Sequence, residues 1–462
     1  MDNFILFIYN FIMVTVFLTL LPFLAAAAPF VKRLRLGFWN YFGLLFPAQR
    51  DFVARAKKNG MNFYLIHGVS VGEIKLAKYA MARILRTDPK AVFALTTTSP
   101  DGLAEAEKMQ FENRVLPLFF PVDIYYFTSS FLKRISPVAV YILEVDLWPN
   151  FILAAAMRAI PIYLLNGRIS DKTLAFYSRL KNFTASLLSF FELFFMQSGE
   201  DARRIIAMGA DEKKVSVIGN MKFDIVQNFA DREKNAVLYD KVKSFFGEGH
   251  DYTLVCGSTH EDEEEIILGA LENVLEKHPD KRMLCVIAPR NISRARQILL
   301  LVPENHRAGL FSEEAVRDGF EPGKTRAGGL DVLIIDSMGY LMSAYSMADA
   351  AIVGGTFCKN DVGGHNIIEP AVFGIPVLFG PSVRNFRDVA NELKTSQIIL
   401  EFSDARGLSD ALLKIMDPEK AMLISLGGKK LLEIVEKNSN VTAKIFNFIK
   451  EHECKISANS RY

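Results

Sequence analysis

The residues whose types and spacing point most directly to chemistry lie between Ala350 and Pro381: AAIVGGTFCKNDVGGHNIIEPAVFGIPVLFGP. Two glycine pairs, Gly354-Gly355 and Gly363-Gly364, flank a polar loop. Glycine lets backbone N–H groups come close to an anion, and a helix N-terminus beside them adds a partial positive charge. Gly364 and Asn366 supply such N–H groups, and Glu369, one turn further on, could accept hydrogen bonds from a ribose diol. The stretch thus reads as a seat for a phosphate and a ribose. Ordinary tight turns of a parallel sheet would give the same spacing, and glycines alone do not separate the two readings. Metal and thiol chemistry have less support. Cys256, Cys285, Cys358 and Cys454 are scattered without a C-x-x-C pair, and the seven histidines show no H-E-x-x-H spacing.

The elements that would position these residues alternate regularly. Ala350–Val353 is an apolar run suited to a buried parallel strand, Ile367–Phe373 suits a short helix closed by Gly374, and Ile375–Phe379 suits the next strand. The loop of such a βαβ unit lies at the carboxyl end of the sheet, where open α/β folds bind ligands. The same alternation begins at Phe63–His67 and continues with strands at Ala91–Leu95, Arg114–Phe119, Val138–Leu143, Pro161–Leu165, Leu193–Gln197 and Val215–Ile218. A second series follows at Thr253–Cys256, Met283–Ala288 and Asp331–Ile335, with a polar insertion near Pro303–Gly329 and a largely helical tail from Asn385 to about Glu451. Two α/β domains with parallel sheets, facing across a cleft, are expected. The break at Gly219–Asp224 marks the linker. The acidic run Glu261–Glu265 opens a helix, where it reads as dipole complement and solvated face.

A length of 462 residues with 50% hydrophobic content supports large cores without staples. The net charge of +2 gives no indication of a nucleic-acid partner. The amino end differs in kind. No charge occurs from Asn3 to Val31, a run long enough for a bilayer crossing of ~20 residues. Lys32, Arg33 and Arg35 follow at once, which by the positive-inside rule puts the remaining chain in the cytoplasm. A cleaved signal peptide is the competing reading, given Ala25–Ala28. The position of the charges after the run, and its length, favour an uncleaved anchor.

Eight segments in order, IHGVSVGE (66–73), TTTSPDG (96–102), LEVDLWPN (143–150), NGRIS (166–170), GNMKFD (219–224), GSTHEDEEE (257–265), GGHNIIEPAVFGIPVLFGP (363–381) and NFRD (385–388), make the chain resemble the 3-deoxy-D-manno-octulosonic acid (Kdo) transferases of lipopolysaccharide assembly. The resemblance implies a GT-B fold of two Rossmann-like domains. It implies an anchor over 1–36, an acceptor-binding domain over 37–222 and a domain binding CMP-Kdo over 223–462. It also implies transfer with inversion to the lipid A precursor, lipid IVA, at the cytoplasmic face of the inner membrane. There are departures: Asn291 stands where the family has histidine after Pro289-Arg290, Tyr340 interrupts a Met-Gly-Glu-Leu segment, and Phe357–Asp361 looks variable.

Within that resemblance the residues take roles. Transfer to a hydroxyl needs a base for its proton, and Glu73, at a helix start beside Gly68 and Gly72, matches it. Glu144, ending a buried strand, would position acceptor hydroxyls. Arg290 can pair bidentately with the departing phosphate, Ser258 and Thr259 can donate to it, and Glu369 would hold the ribose. No D-x-D triplet occurs, so no metal and no cofactor beyond the donor substrate is expected. Rivals are a GT-B enzyme using a UDP-sugar, separable by CMP against UDP competition, and a non-catalytic membrane-anchored binding scaffold.

Overall fold

The structure, a computed structural model, describes residues 3–27, 30, 39–109, 111, 113–228, 232–312, 329–384 and 386–459. Lys32, Arg33 and Arg35, which carry the expected orientation, lie outside the described residues, as does Asn385 of the NFRD segment. The chain forms two compact units. One comprises Met1–Asp224 with Asn440–Tyr462, and the other Ile225–Ser439.

The first unit holds seven parallel strands: β1 (Asn62–His67), β2 (Ala91–Thr97), β3 (Val115–Phe119), β4 (Ala139–Leu143), β5 (Ile162–Gly167), β6 (Leu193–Met196) and β7 (Val215–Val217). Their order is β3-β2-β1-β4-β5-β6-β7. Chain order reverses between β1 and β4, which pair directly, His67 against Ile142. Every residue of β2, β4, β5 and β6 is buried, as expected where helices cover both faces. Alternate residues feed opposite cores. Phe63, Leu65, Val92, Ala94, Val140 and Ile142 enter one, and Ile66, Ala91, Phe93, Leu95, Ala139, Tyr141 and Leu143 the other.

The second unit repeats the design with β8 (Tyr252–Thr259), β9 (Arg282–Pro289), β10 (Arg307–Leu310), β11 (Gly329–Ile334), β12 (Ala350–Val353), β13 (Val377–Phe379) and β14 (Ile399–Glu401), ordered β10-β11-β9-β8-β12-β13-β14. Its reversal lies between β8 and β12, with Gly257 opposite Val353. Leu254, Cys256, Met283, Cys285, Ile287, Ala350 and Ile352 pack on one face, and Val255, Leu284, Val286, Ala288 and Ala351 on the other.

The structure departs from the sequence expectations in five places. Strand β10 lies within what reads as a polar insertion, and β14 within what reads as a helical tail; each has only three or four residues, too few to show a period. The segment after NGRIS is two helices, Asp171–Ser178 and Lys181–Leu188, not one. The helix expected over Ile367–Phe373 is only Ile368–Ala371. Finally, the last helix, Val441–Asn459, sits in the first unit rather than in the domain assigned to 223–462. Val441, Ile445, Phe446 and Ile449 fill the core face beside Tyr141 and Tyr163, and both carboxylate oxygens of Asp224 accept from its first N–H groups, Val441 at 2.8 Å and Thr442 at 2.6 Å.

The helix Asn3–Ala27 contains a segment, Phe4–Phe23, long and apolar enough to cross a membrane, with mean hydropathy 2.4. It is not detached from the first unit. Tyr9 donates to Asp123 Oδ2 at 2.8 Å, Asn150 Nδ2 donates to Asn10 Oδ1 at 2.8 Å, and Phe17 packs edge-on against Phe42 and Phe127.

Candidate functional site

In each unit the candidate residues collect at the carboxyl ends of the strands that flank the reversal, the position that the topology of open α/β sheets reserves for ligands. In the first unit Glu73 is the third residue of the helix Val71–Thr87, which follows β1, and Ser70 caps that helix. The Ser-x-x-Glu spacing is a capping box. Ser70 Oγ accepts the Glu73 N–H at 3.2 Å, while the Glu73 carboxylate accepts from Val69 N–H at 2.7 Å, Ser70 N–H at 3.3 Å and Ser70 O–H at 2.7 Å. Glu73 is 8% exposed. A carboxylate offers roughly four lone-pair directions; three are taken, which fixes the group and leaves one for a further partner.

Glu144 follows β4 directly. Its φ is +57°, a left-handed conformation that costs a non-glycine residue on the order of 1 kcal/mol and tends to persist where function requires it. Its N–H donates to Leu165 O at 2.9 Å. Burial holds its carboxyl above the usual range, the charge of Glu73 adds to that, and Lys222 and Arg168 oppose it. Two carboxylates sense one another here, with one pushed toward the protonated form.

Beside them lies a chain that the sequence did not single out. His67, at the end of β1, is fully buried. Its Nδ1 faces Thr96 Oγ1 at 3.0 Å and its Nε2 faces Asp146 Oδ2 at 2.9 Å, an oxygen that also accepts from Trp148 Nε1 at 2.7 Å. The HG and LEVDLW segments therefore meet through His67 and Asp146. Both residues lie inside quoted motifs, and that was the available signal.

In the second unit Ser258, with φ +58°, and Thr259 end β8. Arg290 follows β9, is exposed, and is tied to Thr259 by its N–H at 2.9 Å. Gly354 N–H donates to Gly257 O at 2.9 Å. A Cβ on Gly354 would lie 2.4 Å from Ser258 O and 2.6 Å from Thr259 Cα, so only glycine lets these loops touch. Gly364 adopts φ +81° and its N–H donates to Gly355 O at 2.9 Å. Asn366 Oδ1 accepts from Ile368 N–H at 3.1 Å, and its Nδ2 approaches Glu369 Oε1 at 3.4 Å. Glu369 belongs to the four-residue helix, too short to act as a dipole. Ser258, Thr259, Arg290, Gly364, Asn366 and Glu369 thus gather on the loops after β8, β9 and β12. The Thr259 hydroxyl is buried and meets no hydrogen-bond partner among the described residues.

What binds these loops together is Glu263. Its four acceptor contacts are His260 N–H at 2.9 Å, Gly355 N–H at 2.8 Å, Thr356 N–H at 3.1 Å and Phe357 N–H at 3.0 Å. Burial raises its pKa, with the backbone donors working against the rise. Glu263 and Glu264 are both fully buried, which corrects the solvated-face reading of this run; Glu264 takes Arg294 at 2.9 and 3.3 Å. Nearby, His260 Nε2 and His365 Nε2 stand 2.7 Å apart. Among the described residues no group of three or more His, Cys, Asp or Glu is arranged to hold a metal ion.

Residues 42–225 match the family model of 3-deoxy-D-manno-octulosonic-acid transferase (kdotransferase). A 3-deoxy-D-manno-octulosonic acid transferase of Chlamydophila psittaci is 30% identical over 329 residues, 71% of this chain and 71% of that protein. A bifunctional glycosyltransferase/methyltransferase of Fusobacterium nucleatum is 30% identical over 334 residues, 72% of this chain, and this chain spans about half (49%) of its length. The structure of a glycosyltransferase from Rickettsia africae, 13% identical, superposes with TM-score 0.50 over 85% of this chain and 98% of that one, a likeness of fold alone. The two Rossmann-like units are those of a GT-B fold, and the chain belongs to the family of 3-deoxy-D-manno-octulosonic acid transferases.

Proposed function

We propose that this chain moves Kdo from CMP-Kdo, bound by the second unit, to a hydroxyl of lipid IVA, bound by the first, with inversion at the sugar carbon. The observation that carries the reading is the pair Glu73 and Glu144 at the reversal of the first sheet, within residues 42–225 that match the family model. Glu73 accepts the hydroxyl proton as the acceptor oxygen bonds to the anomeric carbon. The bond from that carbon to the phosphate oxygen breaks, and CMP departs with the electron pair. Glu144 holds the acceptor, and Arg290 pairs with the phosphate on the second unit. Glu369 holds the ribose. The reaction belongs to lipopolysaccharide synthesis at the cytoplasmic face of the inner membrane, with the Phe4–Phe23 segment as anchor.

The test is a product assay. Purified protein in detergent is given lipid IVA and CMP-Kdo, and lipids are weighed by mass spectrometry. A gain of one or more Kdo units, with inverted linkage by NMR, is the expected result. Unchanged lipid IVA with a protein that binds CMP would overturn the acceptor, and binding of UDP in preference to CMP would overturn the donor. The reaction is also proposed to be metal-independent, because a single phosphate leaving group can be balanced by cationic side chains. Turnover is expected to be equal in EDTA and in Mg²⁺, and loss in EDTA with recovery in Mg²⁺ would contradict it.

A further inference from the structure

We propose that His260 and His365 form a proton-coupled seat for the phosphate of the bound nucleotide, so that binding takes up a proton from solution. This rests on the reading of the second unit as the nucleotide site.

The geometry requires asymmetry. Two Nε2 atoms at 2.7 Å form a hydrogen bond only if one carries a proton and the other offers a lone pair. The rings lie nearly parallel, 8° apart, with centroids 5.0 Å apart. Both residues are half-buried. They come from opposite sides of the sheet reversal: His260 follows β8, and His365 follows the glycine loop after β12. Their backbones are fixed independently, His260 N–H by Glu263 and His365 N–H by Gly354 O at 3.3 Å.

Burial and the nearby cations disfavour a second proton on His260 before the nucleotide binds. His260 is held below the ordinary imidazole value by burial first, then by Arg290, with Arg294 acting the same way and Glu264 opposing. Glu263 contributes its charge under the same loop, already committed to four N–H groups. The His365 ring lies against Gly355: a Cβ there would fall 2.8 Å from His365 Cδ2 and 3.0 Å from its Nε2. A phosphate entering against Arg290 reverses the balance. It neutralises the cation that disfavours protonation, and it rewards a second imidazole proton with a charge-assisted bond. The Nε2–Nε2 bond then opens, and both rings donate to the anion.

The experiment is isothermal titration of the full chain with CMP in two buffers of different ionisation enthalpy, near pH 7.5. There the phosphate monoester, with second pKa of about 6, is almost wholly dianionic. A cationic site strips the last phosphate proton, so ligand titration alone gives release, not uptake. The expected result is uptake of about half a proton or more per CMP, with affinity falling roughly threefold between pH 7 and 8.5. His260→Gln and His365→Gln, checked for unaltered thermal unfolding, are expected to abolish the uptake and flatten the pH profile while still binding CMP weakly through Arg290. Wild type that binds CMP without proton uptake overturns the proposal and leaves the nucleotide reading intact. Uptake that persists in both variants also overturns it. Wild type that binds no nucleotide removes both.

Discussion

Glu73 carries two burdens at one position, the helix cap and the proposed base, and substitutions separate them. Glutamine keeps the capping-box pattern but turns its NH₂ toward one of the donors that Glu73 accepts, Val69 N–H or Ser70, so Glu73→Gln is expected to cost about 1–3 kcal/mol of stability while the chain stays folded. A glutamine cannot accept the acceptor proton, and turnover is expected to fall by roughly 10²- to 10⁴-fold. Ser70→Ala does the converse: it removes the cap, costs about 1 kcal/mol, and keeps the carboxylate. Equal activity of Glu73→Gln and wild type in the product assay would sink the base assignment. Glu144 has a different signature. Its carboxyl is raised in the folded protein, so its contribution is present below the unfolded pKa of about 4.3 and is lost as pH rises through the raised value. Glu144→Gln is neutral throughout. Its stability relative to wild type is therefore expected to increase as pH rises above about 4.3, measured by denaturant unfolding in detergent. A pH-independent difference would remove the burial penalty read at this carboxyl. Glu73, Glu144, Ser258, Thr259, Arg290, Gly364, Asn366 and Glu369 could all be marked from motif positions. His67 and Asp146 also stand in quoted motifs, but their pairing could not be read, because it joins residues 79 apart in sequence, a distance no local pattern encodes.

At the scale of elements, most strands are legible because a strand buried on both faces is a bare apolar run. Ala350–Val353 is identical in expectation and structure. The short edge strands β10 and β14 escape, since three or four residues next to polar chain show no period. Glu263 escapes for another reason. An acid in a first helical turn normally faces water and complements the dipole, and only the close approach of the β12 loop converts it into a buried acceptor for four N–H groups. Glu263→Gln puts an NH₂ against N–H donors. Leaving such donors buried and unpaired costs about 1–3 kcal/mol, and more when a charged partner is lost. Because those donors belong to the loops after β8 and β12, the variant is expected to lose CMP affinity together with melting temperature, while Glu265→Gln, on the same helix, changes neither. A stable Glu263→Gln with wild-type CMP affinity would show that Glu263 does not organise these loops.

At the scale of the whole molecule, the chain leaves the first unit at Asp224, builds the second, and returns at Asn440. Sequence order alone assigns the tail to the domain that precedes it, which is why the expected boundary misplaces the last helix. Two physical facts draw it back. Asp224 caps it through Val441 and Thr442, and Val441, Ile445, Phe446 and Ile449 cover apolar core that the sheet leaves open. Burial of each such side chain is worth about 1.5–3 kcal/mol, several-fold more than the cap. Removal of residues 440–462 is therefore expected to destabilise the first unit selectively. Calorimetry of the truncated chain should show one transition shifted down or lost, and CMP binding, which belongs to the second unit, should persist. Asp224→Ala should lower the same transition by a few degrees, consistent with about 1–2 kcal/mol for a lost cap. Loss of CMP binding on truncation, with the transition of the first unit intact, would mean that the last helix supports the second unit instead, and the packing of Phe446 against Tyr141, at 5.4 Å between ring centroids, would then carry no weight in the fold.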